Sequence, residues 1–133
     1  MDELRQTLDH VTLSVADMAT MKLFYQRALA PLGLSLVAEV SAEQSGSEAF
    51  AGFGIGRKGS LWLRASGQQT PRTHICFRAQ SRAAVRSFHA SALLAGGVDH
   101  GAPGVREVYH PAYYAAFVLD PEGHNIEAVC FEP

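Results

Sequence analysis

The sequence predicts an α+β fold: two tandem βαβββ modules forming a curved, partly closed mixed sheet with helices outside. Three observations predict it. Short segments alternate apolar and polar residues with the period of a strand. In each half, a stretch of helical periodicity follows the first of these segments. A single offset of 64 residues carries His10 onto His74, Phe24 onto Phe88 and Gly59 onto Gly123, the mark of a duplicated unit.

The first strand is Leu8 to Val15, where Val11, Leu13 and Val15 oppose His10, Thr12 and Ser14. Asp17 then caps a helix whose apolar positions are Met21, Phe24, Tyr25, Ala28 and Leu29, and Pro31 and Gly33 end it. Leu34 to Val40 is a second strand, and Ser41 to Glu48 a polar loop. The Gly-rich run Glu48 to Gly56, a turn at Arg57 to Gly59 and the segment Ser60 to Ala65 complete the first module, residues 1–66. Its GFGIG run lacks the helix and the Lys-Ser/Thr of a phosphate loop, so it predicts a bulged strand.

After a linker at Ser66 to Arg72 the order restarts in the second module, residues 67–133. Thr73 to Ala79 alternates, with Ile75, Phe77 and Ala79 opposing His74, Cys76 and Arg78. Ser81 caps a helix built on Val85, Phe88, Ala92 and Leu93, which Gly96-Gly97 stops. A short strand is expected around Val105 to Val108, then Tyr113 to Asp120, a turn at Pro121 to Gly123, and Asn125 to Cys130. Neither half covers its sheet alone.

Composition narrows the function classes. The 133 residues are 47% hydrophobic and 18% charged, which excludes a disordered chain. Eleven basic against 13 acidic residues give a charge of −2, so nothing favours nucleic acid or an anionic membrane. No run is long enough for a membrane span, and the acidic opening MDELRQTLDH lacks the pattern of a secretory signal. Two cysteines, Cys76 and Cys130, fall on opposite strand faces and make no disulfide framework. The expected compartment is the cytoplasm.

The polar face of each first strand suits a wet pocket better than a core, because buried polar groups need partners. His10 and His74 are related by the repeat, and strand parity puts Glu127 on the same side. Two imidazoles and a carboxylate make a facial set that leaves positions open for a bidentate substrate. Such donors suit Fe(II), Mn(II), Ni(II) or Zn(II).

The segments DHVTLSVADMATMKLFYQRALAPLGL (Asp9 to Leu34), His74 opening the second module, and DPEGHNIEAV (Asp120 to Val129) resemble the vicinal oxygen chelate superfamily. Its members include glyoxalases, bleomycin- and fosfomycin-resistance proteins and extradiol dioxygenases. The resemblance covers nearly the whole chain and implies the same paired βαβββ fold. It also implies metal ligands at His10, His74 and Glu127, within one chain or shared between two by module exchange. Glyoxalase I adds a fourth, carboxylate ligand. The offset of 64 carries Glu127 onto Leu63, and no carboxylate lies on that strand. A three-ligand pattern therefore fits better. The three residues are expected to converge, with Leu63 beside them.

Around this set, Tyr113 and Phe117 share the pocket face of their strand, while Tyr114 packs outward. A tyrosine tends to stand at the Phe117 position in the fosfomycin-resistance branch, so that substrate loses support. Thr12 lies on the His10 face, and Arg78 on the His74 face either holds an anionic group or pairs with an acid. His110, in YHPAYY, is a candidate base near the open metal positions or else a loop cap. Glu127 doubles as a catalytic carboxylate. His89, His100 and His124 are expected at the surface or in solvated loops. Two functions remain open: a metal-dependent lyase, isomerase or ring-cleaving dioxygenase, and a metal-free protein that sequesters a small hydrophobic compound. A twofold homodimer is expected, because short curved sheets leave edges exposed.

Overall fold

The computed structural model describes residues 7–133, so the opening segment at 1–6 lies outside the described residues. The first module comprises β1 (Val11–Val15), α1 (Met18–Ala28), β2 (Ser35–Val40), α2 (Ala42–Ser45), β3 (Phe50–Ile55) and β4 (Lys58–Ala65). The second comprises β5 (His74–Arg78), α3 (Arg82–Leu94), β6 (Val98–Val105), β7 (Tyr114–Leu119) and β8 (Asn125–Cys130). Each module is a four-stranded mixed sheet, ordered β1-β4-β3-β2 and β5-β8-β7-β6. In both, the first strand runs parallel to the last and the other pairings are antiparallel.

Local chemistry sets the helices. The Asp17 side chain accepts from the Thr20 amide at 3.1 Å and starts α1. A 3-10 turn over Ala30–Leu32 follows it, with Gly33 closing the turn at φ 86°. Ser81 caps α3 through the Ala84 amide at 3.0 Å. The polar loop after β2 holds one unforeseen helical turn, α2. Ser41 and Gln44 form a reciprocal capping box there, a signal present in the sequence.

Met21, Phe24, Tyr25 and Ala28 of α1 and Val85, Phe88 and Ala92 of α3 are fully buried. Each large apolar side chain buried there contributes about 1.5–3 kcal/mol. They pack against Leu13, Phe53, Leu61 and Leu63 of one sheet and Ala116, Val118, Ile126 and Ala128 of the other. The helices also pack on each other, so the modules meet through their helical sides. Polar ties reinforce this contact. Tyr25 donates to Asp120 Oδ2 at 2.5 Å, and Glu122 accepts from the amides of Ala16 and Asp17 at 3.0 and 2.9 Å. The linker lies along β1, where the Ser14 amide donates to Thr70 Oγ1 at 2.8 Å and the Thr70 amide to Ser14 O at 2.9 Å.

Several expectations are corrected. The edge strand of the second sheet is Val98–Val105 rather than Val105 to Val108. Its Gly101, Pro103 and Gly104 break the alternation, and its register with β7 shifts twice. His100 therefore lies in a strand. His124 is fully buried, its Nδ1 accepting from the Thr73 amide at 3.2 Å. His89 is mostly covered and bonds Asp99 at 2.9 Å. Gly59 and Gly123 are not equivalent: Gly59 pairs with Gly54 inside the hairpin, whereas Gly123 sits in a turn at φ 90°.

Candidate metal and substrate site

The sheet faces turned away from the helices carry the polar residues. On the second module, His74 and Glu127 stand side by side. His74 Nε2 lies 2.7 Å from Glu127 Oε1. The other carboxylate oxygen, Oε2, accepts from the Tyr113 hydroxyl. Glu127 is 2% exposed while the His74 side chain is 51% exposed, so the imidazole is the open side of the pair. With Tyr109, Tyr113 and Phe117 they line a hollow of about 350 Å³. Burial, followed by the hydrogen bond to Glu127, raises the Tyr113 phenol well above its ordinary value. Cys76 pairs with Glu127 in the β5–β8 register. Loss of solvation first, and that carboxylate second, push its thiol up to about 12.

His10 occupies a different place. It lines a second hollow, of about 430 Å³, at the seam between β1 and β5, with Ser60, Cys76 and Arg78 among its walls. Its Nδ1 lies 2.7 Å from Asp9 Oδ2, and Lys58 holds the same oxygen at 2.7 Å. The Lys58 and His10 bonds hold the Asp9 carboxyl below the usual carboxylate range. With Nδ1 turned to this carboxylate, Nε2 is the ring nitrogen left to face the hollow as a ligand atom. The expected meeting of His10 with His74 and Glu127 does not occur within one chain. Among the described residues no group of three or more His, Cys, Asp or Glu could hold an ion. The modules join through their helices, and the first strands β1 and β5 meet along the His10 hollow, away from the His74–Glu127 pair.

The other expected residues are placed as follows. Phe117 pairs with Glu127 in the hairpin register, and its ring lies 6.2 Å from that of His74. Tyr114 packs outward beneath Arg82, as parity predicts. Thr12 is exposed on the open face of β1. Arg78 stacks over Phe131 at 4.8 Å and borders the His10 hollow. His110 caps its own loop, Nδ1 accepting from the Ala112 amide at 2.9 Å, and does not line the Glu127 hollow.

Leu63 is not the counterpart of Glu127. It is fully buried on the helical side. The ladders pair Cys76 with Glu127 and Thr12 with Trp62, so Trp62 holds the equivalent station. The offset is 64 through the helices and 65 in the last two strands, because the second module carries one more residue before β7. Asp9 and Tyr109, which line the two hollows, are residues that the pattern of histidines did not single out. Asp9 was signalled only by its adjacency to His10.

The chain matches the family model of the Glyoxalase/Bleomycin resistance protein/Dioxygenase superfamily over residues 7–128. Among solved structures it resembles a glyoxalase/bleomycin resistance protein from Albidiferax ferrireducens T118. That match has 27% identity and TM-score 0.77, covering 96% of this chain and 100% of the other. A family enzyme from Burkholderia phytofirmans PsJN matches at 22% identity and TM-score 0.68, covering 96% and 100%. Glyoxalase I from Zea mays matches at 18% identity and TM-score 0.70, covering 92% of this chain and 43% of that one. The last two are likenesses of fold. No curated protein matches the sequence.

Proposed function

Because the chain belongs to the glyoxalase/bleomycin resistance protein/dioxygenase superfamily, we propose that it is a metal-dependent enzyme whose site is completed by a second copy. His74 and Glu127 of one chain and His10 of another would hold a divalent ion of the Fe, Mn, Ni or Zn type. The observation that carries this reading is the His74–Glu127 pair. A carboxylate 2% exposed sits with one oxygen on a phenol and the other 2.7 Å from an imidazole nitrogen. An imidazole nitrogen and a carboxylate oxygen thus meet at one point of the open face, and both are donor types that a divalent ion takes. His10, oriented by Asp9, presents the remaining nitrogen donor.

A bound divalent ion supplies Lewis-acid stabilisation of negative charge on two neighbouring oxygens of a small substrate, the chemistry of a lyase, isomerase or ring-cleaving dioxygenase. The chain's own residues do the rest. Tyr113 fixes the rotamer of Glu127, and its raised phenol stays protonated as a donor. Phe117 and Tyr109 wall the hollow. Glu127 would serve as the carboxylate that accepts a substrate proton. Two exposed apolar side chains, Leu8 at 69% and Ile55 at 68%, border the His10 hollow, which supports its being covered by a partner copy. The free thiols Cys76 and Cys130 suit a reducing, cytoplasmic compartment. Among the described residues no helix is long and apolar enough to cross a membrane.

A metal-free binder of a small hydrophobic compound is the second reading, favoured by Trp62 standing where the first module would need a carboxylate for a fourth ligand. Metal analysis of protein purified without chelators separates the two. The enzyme reading expects about one ion per chain in the wild type and its loss in H10A, H74A and E127Q with unchanged circular dichroism. Metal-free wild type whose ligand binding survives H10A would overturn it.

A further inference from the structure

We propose that the indole of Trp62 is a stacking platform for a planar aromatic group of the substrate. The inference deepens the reading above, since it places the open face of the first module in the same site as His74 and Glu127.

The indole lies flat on a floor without side chains. A Cβ built on Gly52, its cross-strand partner on β3, would come within 2.7 Å of the six-membered ring. A Cβ on Gly59 would come within 2.8 Å of the indole edge near the ring nitrogen. Both glycines have ordinary backbone angles, so space rather than conformation requires them. The result is a ring held close against the backbone at Gly52 and Gly59, in a residue that remains partly exposed. Tryptophan has the largest π-face among side chains, and a preordered ring adds little conformational cost when a second ring stacks on it.

The comparison of modules adds the chemistry. At the central cross-strand pair the first module has Gly52 opposite Trp62, and the second has Phe117 opposite Glu127. One station thus holds the carboxylate and its counterpart holds the aromatic surface. Thr12 lies opposite Trp62, two residues beyond His10 on β1. Any group held at His10 is therefore a neighbour of the platform. Two residues further along β4, the Arg64 guanidinium is fixed by Ser14 Oγ at 2.8 and 3.2 Å. A fixed cation at the margin suits an aromatic ring that carries an anionic group.

Calorimetry with two ligands of equal charge and equal donor atoms tests the proposal. These are 2-hydroxybenzoate, which is planar, and 2-hydroxycyclohexanecarboxylate, which is not. Wild-type protein as purified is expected to bind the planar acid about tenfold or more tightly. W62L is expected to bring the ratio near one and W62F to keep a preference, with circular dichroism unchanged. G52A, which displaces the indole without removing it, is expected to lower the ratio as W62L does. A wild-type ratio near one, no binding of either acid, or a preference that survives W62L would overturn the platform. Metal content, measured on the same samples, reports separately on the metal site. Metal present with a ratio near one sinks the platform alone. A Trp62-dependent preference in metal-free protein sinks the metal reading alone.

Discussion

Trp62 and Glu127 occupy the same station in the two modules. Each lies opposite the residue two places beyond its module's histidine, Thr12 in one case and Cys76 in the other. The repeat is thus asymmetric at this station. One copy keeps a buried carboxylate, and the other replaces it with the chain's single tryptophan.

The glycine floor gives the first prediction. Gly52→Val places a branched side chain where a Cβ alone would lie 2.7 Å from the indole. Because Trp62 is the sole tryptophan, its emission reports the displacement. The expected result is a red shift with a stability loss of about 1–3 kcal/mol from overpacking. Unchanged emission would mean that the indole does not rest on Gly52.

Tyr113 supplies the second. Its hydroxyl is the donor to Glu127 Oε2, so Tyr113→Phe leaves a nearly buried carboxylate oxygen without that partner. Urea unfolding should show a loss of about 1–3 kcal/mol. A neutral substitution would remove Tyr113 from the support of Glu127.

Tyr25 carries a pH prediction. Burial first, and the Asp120 charge second, raise its phenol well above the ordinary 10.0. The unfolded phenol ionises near pH 10 and the folded one only at higher pH. The stabilising contribution is therefore complete below about pH 10 and is lost as the pH climbs toward the folded value. Between about pH 10 and 12, unfolding midpoints should fall more steeply for wild type than for Tyr25→Phe. Parallel slopes would contradict the raised phenol.

The fold was largely legible because two periodicities carry it. Leu13 and Val15 alternate with polar residues, and Met21, Phe24, Tyr25 and Ala28 recur at helical spacing, so β1 and α1 follow from pattern alone. The strand Val98–Val105 was misplaced because glycine and proline erase alternation in an edge strand, where irregular pairing leaves groups to solvent. His74, Glu127, Tyr113 and Phe117 were legible as neighbours, because strand parity fixes which side chains share a face. The station of Trp62 was not. A one-residue difference between the modules flips the side of the sheet that a simple offset assigns, and it made Leu63 the counterpart in place of Trp62. The way the modules join was equally invisible. Sequence period relates His10 to His74 but does not say whether the open faces or the helical faces of one chain meet.

In the proposed enzyme, His10 of one chain would complete the His74–Glu127 pair of another. Metal content of a mixed dimer tests it directly. H10A and E127Q chains carrying different tags are co-expressed, and the dimer bearing both tags is isolated. In a shared arrangement one site of that dimer is intact and the other carries both substitutions, so about half the wild-type metal is expected, against little in either parent. Absence of metal from the mixed dimer, with the wild type loaded, would mean that each site is built within one chain.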